Sequence, residues 1–287
     1  MTDLTRRRFL TVTAATLATP AAAAPVRWQG HALGAEIGLT LHAPADLAEA
    51  AIRHTRDRLR EIERLFSLYD PKSVLSQLNR TGQLDRPPEG FRTLIDLCAV
   101  MHAATGGVFD PTIQSLWQAR PDPAAIGWDR VRTGTGIDLA PGQQITLNGI
   151  AQGFATDLIR ADLARLGLRR ALVNIGEFAA VGGPFTLGLA DPKQGLFATR
   201  TLTGLAIATS SPGAMTLKGG AHIRHPARNT APLWSTVSVV ARSAAVADAA
   251  STAFAVMTRA ELRRALARMP RGTQVTLLSE KGDIERF

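Results

Sequence analysis

Two oxygen-bearing side chains near the end of the chain are the clearest candidates for metal chemistry. Asp248 and Thr252 are spaced i, i+4, so a helix places both on one face. A carboxylate, a hydroxyl and a backbone carbonyl are hard oxygen ligands, which suit Mg²⁺ bound beside phosphate groups. The same spacing is also common on ordinary polar helix faces, so the pair alone leaves both interpretations open.

A second candidate is the run N-G-I-A-Q-G-F-A-T-D at residues 148–157. It places Gly149 and Gly153 at the start of a predicted helix. Free amide groups and the helix dipole favour an anion at such a position. The alternative is that both are packing glycines, which allow two backbones to approach closely.

Two loops could contact a flat, polar ligand. The run S-L-Y-D-P at residues 67–71, followed by Ser73 and Asn79, carries Tyr69, the only tyrosine in the chain. An exposed aromatic ring can stack on a heterocycle. The run T-G-G-V-F-D-P-T at residues 105–112 offers two glycines for close approach and Asp110 as an acceptor for a ribose or a base. Ordinary turns and helix caps would explain either loop equally well.

Common catalytic and nucleotide-binding motifs are absent from the sequence. There is no phosphate-binding Walker loop, dinucleotide glycine fingerprint, Gly-x-Ser-x-Gly elbow or zinc spacing of Cys and His. The formal charge is +9, but after the N-terminus no long basic run occurs, so nucleic acid is not expected as a partner. The single cysteine, Cys98, lies in an apolar helical stretch and is interpreted as a buried structural thiol.

The N-terminus has the features of an export signal. T-R-R-R-F-L at residues 5–10 resembles a twin-arginine motif, and an uncharged stretch and a small-residue cleavage site follow. We therefore expect residues 1–24 to be a twin-arginine signal peptide and residues 25–287 to form one periplasmic domain. An ordinary secretory signal is the alternative. The apolar stretch is too short to span a membrane.

The elements that must position these residues are mixed helices and strands. Apolar spacing and turn residues predict a hairpin over 26–41 and helices near 46–66, 73–78, 88–104, 149–166, 244–257 and 259–268. Further strands are expected at 171–176, 185–189, 202–208, 236–240 and 274–278. No regular βαβ repeat appears, so the sequence predicts an α+β fold with mixed sheets and packed helices.

Six ordered segments carry a family resemblance. They are residues 67–79, 105–112, 148–157, A-L-V-N-I-G at 171–176, A-I-A-T-S at 206–210 and A-D-A-A-S-T-A at 247–253. On these segments the chain resembles the ApbE family of FAD:protein FMN transferases from about Gly30 to Met257. The resemblance implies a single T-fold-related domain.

The resemblance also implies a reaction and the residues that serve it. FMN would pass from FAD to a Thr or Ser hydroxyl in a short Ser/Asp-Gly-Ala-Thr target of an exported acceptor protein, and AMP would leave. The expected acceptor is a subunit of a membrane electron-transfer system. Mg²⁺ would be held by Asp248, Thr252 and the backbone carbonyl of Gly149. The implied FAD contacts are Leu33, Tyr69, Val108, Phe109, Asp110 and Gln152.

A candidate base lies in a segment that departs from the family pattern. The pattern H-I-I-D-P-x-T-G reads H-I-R-H-P-A-R-N at residues 222–229, and Gln152 and Glu177 replace the usual charged residue and glycine elsewhere. His222 is the candidate base, since histidine titrates near neutral pH, and His225 is the alternative. Because a carboxylate and a turn glycine are lost, an FAD pyrophosphatase and a non-catalytic FAD carrier remain alternative functions.

Overall fold

The computed structural model describes residues 24–117, 121–217 and 220–287 of the chain. The predicted signal peptide at residues 1–24 lies outside these ranges except for Ala24. Within them, no helix is long and apolar enough to cross a membrane.

Six α-helices lie in the described ranges. They are α1 (Ala45–Phe66), α2 (Val74–Thr81), α3 (Glu89–Ala104), α4 (Ala151–Arg165), α5 (Ala244–Phe254) and α6 (Arg259–Leu266). The apolar spacing that predicts α1 corresponds to its buried face, which includes Ala48, Leu59, Ile62 and Phe66. All six helices were expected from the sequence, with ends that differ by a few residues.

The strands number fifteen in the same ranges. They are β1 (Val26–Ala32), β2 (Ala35–Leu41), β3 (Gln83–Leu84), β4 (Arg132–Thr133), β5 (Ile137–Asp138), β6 (Ala171–Asn174), β7 (Phe178–Val181), β8 (Phe185–Asp191), β9 (Gly195–Leu202), β10 (Ala206–Ser210), β11 (Thr216–Leu217), β12 (Gly220–Ala221), β13 (Thr236–Ala241), β14 (Gln274–Leu278) and β15 (Ile284–Arg286).

One large sheet organises the molecule. Its order is β1-β2-β6-β7-β10-β13-β14-β15, and β8 and β9 form a separate hairpin. The α+β class is confirmed. We expected mixed sheets, but every strand pairing in the described ranges is antiparallel. Periodicity indicates which residues alternate along a strand but carries no information on the direction of its neighbour.

The central strands are buried because both faces of the large sheet are covered. Val173 of β6 and Val239 of β13 belong to the main core, which also contains the apolar faces of α1, α4 and α5. Their sequence neighbours Leu172 and Val240 point to the other face and pack with Leu187 of the β8–β9 hairpin. Continuous apolar runs are typical of strands that are covered in this way.

The expected strand over 202–208 is wrong in its bounds. The chain forms β9 and β10 there, separated by a turn in which Gly204 has φ 61° and its N–H donates to the carbonyl of Gly182. A residue with a side chain is strained at such a φ, so the glycine allows the reversal. Strand β7 was not predicted from the sequence.

Candidate functional site

A single large cavity collects the residues singled out from the sequence. Its volume is about 1970 Å³, above the 300–1,000 Å³ that is usual for small-ligand sites. All ten predicted site residues line it, namely Leu33, Tyr69, Val108, Phe109, Asp110, Gly149, Gln152, His222, Asp248 and Thr252. The alternative base, His225, does not. The structure therefore brings the predicted residues together, while their roles toward a ligand stay predictions.

The proposed metal ligands are neighbours in this cavity. Asp248 on α5 is 4% exposed and its Oδ2 accepts a hydrogen bond from the Gly153 amide at 3.0 Å. A Cβ added at Gly149 would lie 3.0 Å from Thr252 Oγ1, so these two residues are in direct contact. The hydroxyl of Ser210 lies 3.4 Å from Thr252 Oγ1 and 2.8 Å from Ser251 Oγ. Asp248, Gly149, Thr252 and Ser210 thus supply a carboxylate and several neutral oxygens to the same cavity.

Helices α4 and α5 fix this geometry through reciprocal hydrogen bonds. Asp248 on α5 accepts from the Gly153 amide on α4, and Asp157 on α4 accepts from Ser243 Oγ and the Ala245 amide at the start of α5. A Cβ at Gly153 would lie 2.4 Å from the carbonyl oxygen of Ala244. Gly153 is therefore a packing glycine.

The expected anion site at the start of α4 is not available at three of its amides. Ile150 and Ala151 donate to the carbonyl of Leu147, and Gly153 donates to Asp248. The prediction of free amide groups is wrong for these residues, because a preceding turn and a helix from elsewhere in the chain already supply acceptors.

Leu33 lies in a left-handed turn at one edge of the cavity. Its φ is 51°, an uncommon value for a residue with a side chain. Its amide donates to Glu63 Oε1 at 3.1 Å, and its carbonyl accepts from Gln152 Nε2 at 3.4 Å. Gln152 also packs against Gly176, where an added Cβ would lie 2.6 Å from its Cδ. Glu63 was not identified from the sequence, because nothing in a helical Glu indicates a contact with a distant turn.

Tyr69 lies on the loop between α1 and α2 with 80% of its surface exposed. The loop is ordered by the hydroxyl of Ser67, which accepts from the amides of Tyr69 and Asp70. Ser73 caps α2, and Asn79 pairs with both backbone groups of Ile145. Ser73 and Asn79 therefore shape the site, whereas the Tyr69 ring is available to stack.

The loop after α3 holds Val108, Phe109 and Asp110 against the cavity. Asp110 Oδ1 accepts from the amide and hydroxyl of Thr112, and its Oδ2 accepts from the Trp128 amide at 3.1 Å. His102 Nδ1 donates to the Phe109 carbonyl at 2.9 Å. We expected Asp110 to accept from a ribose or base; its observed contacts are those of a residue that organises the loop.

His222 lies on the cavity wall with a defined orientation. Its Nδ1 is 3.0 Å from the carbonyl oxygen of Met215, which can only accept, so the neutral ring carries its proton on Nδ1. Nε2 is then the basic nitrogen. Beside it, the Arg224 guanidinium lies 5.5 Å from the centre of the Trp117 ring, and both residues line the cavity. Trp117 and Arg224 were not identified from the sequence.

The cavity is rich in anchored carboxylates. Five described lining residues are acidic, namely Glu63, Asp110, Glu177, Asp191 and Asp248, and two are arginines, Arg80 and Arg224. For Asp191, burial opposes the charge, but hydrogen bonds donated by Ser235, Thr236 and two backbone amides lower its pKa. An anionic ligand would therefore need added positive charge.

Side chains that typically bind a metal do not cluster in the described part of the chain. No group of three or more His, Cys, Asp or Glu residues there could hold an ion. A metal at Asp248 would depend on one carboxylate together with hydroxyl and carbonyl oxygens. Mg²⁺ accepts such a set, because it keeps several waters and binds substrate phosphates. Cys98 is fully buried, and burial raises the pKa of its thiol, so it is a structural residue.

The fold and the cavity define an α+β ligand-binding protein, and the comparisons identify its family. The sequence matches the ApbE family over residues 33–277, and the chain belongs to that family. Its solved structural relatives show the same fold. The ApbE protein of Thermotoga maritima has a TM-score of 0.81 at 24% identity, covering 91% of this chain and 96% of that one. The flavin transferase ApbE from Vibrio cholerae has a TM-score of 0.78 at 20% identity, covering 92% and 96%.

Two curated relatives carry the name FAD:protein FMN transferase. The one from Rhodobacter capsulatus is 28% identical over 246 residues, which are 73% of this chain and 47% of that protein. The one from Klebsiella pneumoniae strain 342 is 33% identical over 73 residues, or 24% of this chain and 23% of that protein. The chain thus spans about half the length of the first relative and about a quarter of the second in these matches.

Proposed function

We propose that this protein transfers FMN from FAD to a Thr or Ser hydroxyl of an acceptor protein, with Mg²⁺ bound, and releases AMP. The observation that carries the proposal is the convergence of all ten predicted residues on one cavity. The names of the curated relatives support the same reaction.

The need for a cation follows from the charges of the cavity. A pyrophosphate oxygen about 4 Å from the Asp248 carboxylate would meet a repulsion of about 4 kcal/mol at an effective dielectric constant of 20. Asp248, Thr252 and the Gly149 carbonyl would hold Mg²⁺ at this point. When bound, the ion would neutralise phosphate oxygens and stabilise the charge that develops on the leaving AMP.

The remaining chemistry belongs to side chains of this protein. His222 Nε2 takes the proton of the acceptor hydroxyl, because its Nδ1 is committed to the Met215 carbonyl. The acceptor oxygen then bonds to the FMN phosphorus, the pyrophosphate P–O bond breaks and AMP leaves. Tyr69 stacks on a ring of FAD, while Leu33, Val108, Phe109, Asp110 and Gln152 form the walls that orient the dinucleotide.

The location and partner extend this proposal. The twin-arginine motif at residues 5–10 supports export to the periplasm, with cleavage near residue 24. The acceptor would then be an exported flavoprotein subunit of a membrane electron-transfer system. An acceptor on the same side of the membrane is required, since its hydroxyl must reach the FAD phosphorus inside the cavity of this protein.

The test is the intact mass of an acceptor that carries the Ser/Asp-Gly-Ala-Thr target after incubation with FAD and Mg²⁺. We expect a gain of one FMN, which EDTA abolishes and which Asp248→Asn lowers by at least a hundredfold. The asparagine oxygen can still accept from the Gly153 amide, so the fold is kept. Asp96→Asn, on an exposed face of α3, is the matched control and retains activity.

The other outcomes of this experiment distinguish the two alternative functions, an FAD pyrophosphatase and an FAD carrier. AMP release without a mass gain would show a pyrophosphatase, since water would then replace the acceptor hydroxyl. FAD that binds but stays intact, with or without Mg²⁺, would show a carrier. Full activity of Asp248→Asn would contradict the metal assignment.

A further inference from the structure

The most informative departure from the family pattern is His225, which replaces an aspartate. It belongs to the 222–229 loop (His222 to Asn229), whose first three residues, His222 to Arg224, line the cavity. The His225 side chain points elsewhere, and the residue is 9% exposed. It is therefore a buried titratable group beside the site that the proposed reaction does not use.

The hydrogen bonds of His225 define its protonation state. Its Nδ1 lies 3.1 Å from the backbone nitrogen of Ala227 and 3.1 Å from that of Arg228. Both partners are N–H donors, so Nδ1 must be an acceptor and the neutral ring carries its proton on Nε2. Aspartate and asparagine side chains accept from the backbone two and three residues later in the same way. The imidazole thus fills the structural place of the missing carboxylate.

The rest of the 222–229 loop is anchored to neighbouring elements. Arg228 bonds to Glu261, which forms a capping box with Thr258 at the start of α6. Although burial opposes it, the hydrogen bonds from Arg228 and Thr258 lower the pKa of Glu261 to about 2. Arg224 lies over Trp117 at the other end. These contacts hold the ends of the loop, whereas His225 fixes its internal turn.

We propose that His225 is a positioning residue, which holds the turn behind His222 only as a neutral imidazole and releases it on taking up a proton. A protonated Nδ1 has no lone pair, so two backbone N–H groups would then face a third N–H. The proposal rests on the proposed function only in that the loop carries the base. It concerns the order of the loop in the protein itself.

The groups around His225 favour its protonation below neutral pH rather than above it. Burial and the Arg228 guanidinium of the same loop lower the pKa of His225, and Glu261 of α6 opposes them. A lowered pKa means that the neutral, bonded form persists from neutral pH into the mildly acidic range. Below the folded pKa the turn loses both bonds.

The test measures the loop and the reaction separately. The ¹⁵N NMR signals of the His225 ring are those that are absent from the spectrum of His225→Asn. At pH 7 this ring should carry its proton on Nε2, and on acidification it should titrate below pH 6.5. Amide exchange at Ala227 and Arg228, corrected for its intrinsic pH dependence, should lose protection in the wild type as pH falls from 7 to 5. His225→Asn should keep that protection, because its amide oxygen accepts without titrating.

The pH profile of FMN transfer completes the test. At pH 8, His225→Asn and His225→Asp should transfer FMN at a rate within about threefold of the wild-type rate. Because protonation of His225 releases the turn in the wild type only, both variants should raise the ratio of the pH 5 rate to the pH 8 rate above the wild-type ratio. Exchange at Ala227 and Arg228 that stays unchanged down to pH 5, or a ring protonated on Nδ1, would overturn the inference even if the protein transfers no FMN.

Discussion

Replacing Gly153 with alanine should separate α4 from α5 and damage the wall of the cavity that contains Asp248. The new Cβ would lie 2.4 Å from the Ala244 carbonyl oxygen, 2.6 Å from its carbon and 2.7 Å from Ala245 Cα. All three atoms are backbone, so no side-chain rotation can relieve the contact. The helices would have to move apart by about 1 Å to reach ordinary contact distances.

The magnitude follows from three terms. Overpacking costs about 1–3 kcal/mol, and loss of the hydrogen bond from the Gly153 amide to Asp248 adds about 1.5–3 kcal/mol. The higher helix propensity of alanine returns at most about 1 kcal/mol. We therefore expect the free energy of unfolding to fall by about 3 kcal/mol, and Tm by about 6–12 °C.

The assay is thermal and urea unfolding of Gly153→Ala, with Gly90→Ala as the matched control. Gly90 also lies in the first turn of a helix, but its added Cβ would meet only the flexible end of Leu65 at 3.3 Å. The control should change stability by less than about 1 kcal/mol. Equal stability of the two variants would refute the inferred close contact between α4 and α5.

Two further predictions concern other walls of the cavity. Asp191→Asn should cost about 1.5–3 kcal/mol at pH 7; because the folded pKa of Asp191 is lowered, the wild-type advantage should vanish as pH falls through that value. Urea unfolding of both proteins from pH 7 to pH 3 measures this, and a constant difference would contradict it. Tyr69→Ala should weaken FAD binding about 3–10-fold without changing Tm, because Tyr69 is 80% exposed. Calorimetry, with Tyr69→Phe as control, checks it.

The sequence predicts where helices and strands occur better than it predicts how the strands pair. The spacing of Ala48, Ile52, Leu59, Ile62 and Phe66 indicates α1, since a 3.6-residue period repeats over five turns, although Ile52 is only half-buried. The antiparallel direction of every described pairing is not predictable in this way, because it depends on the path of the chain between strands. Strand β7 and the turn at Gly204 were likewise not predicted from the sequence.

For the site too, the sequence identifies several of the residues involved but not what each of them contacts. Motif positions identify Asp248, Thr252 and Gly149, and the structure brings them together. The role of Asp110 is not predictable, because its donors include the amide of Trp128, which lies far along the chain. Glu63 and Trp117 are equally hidden, since their importance arises only from where a distant turn or loop comes to lie.

The cavity draws its walls from both ends of the described chain. Leu33 lies in the first hairpin, and Thr252 lies in α5, near the C-terminal end of the described sequence. A fragment that lacks either residue therefore does not contain the complete site. Closing such distant contacts is the slow part of folding. A ligand that fills the cavity can therefore bind only the finished molecule, and at a hundred times its Kd it adds about 2.7 kcal/mol to stability. Under the proposed function that ligand is FAD, so the supply of flavin would also affect how much of the protein stays folded.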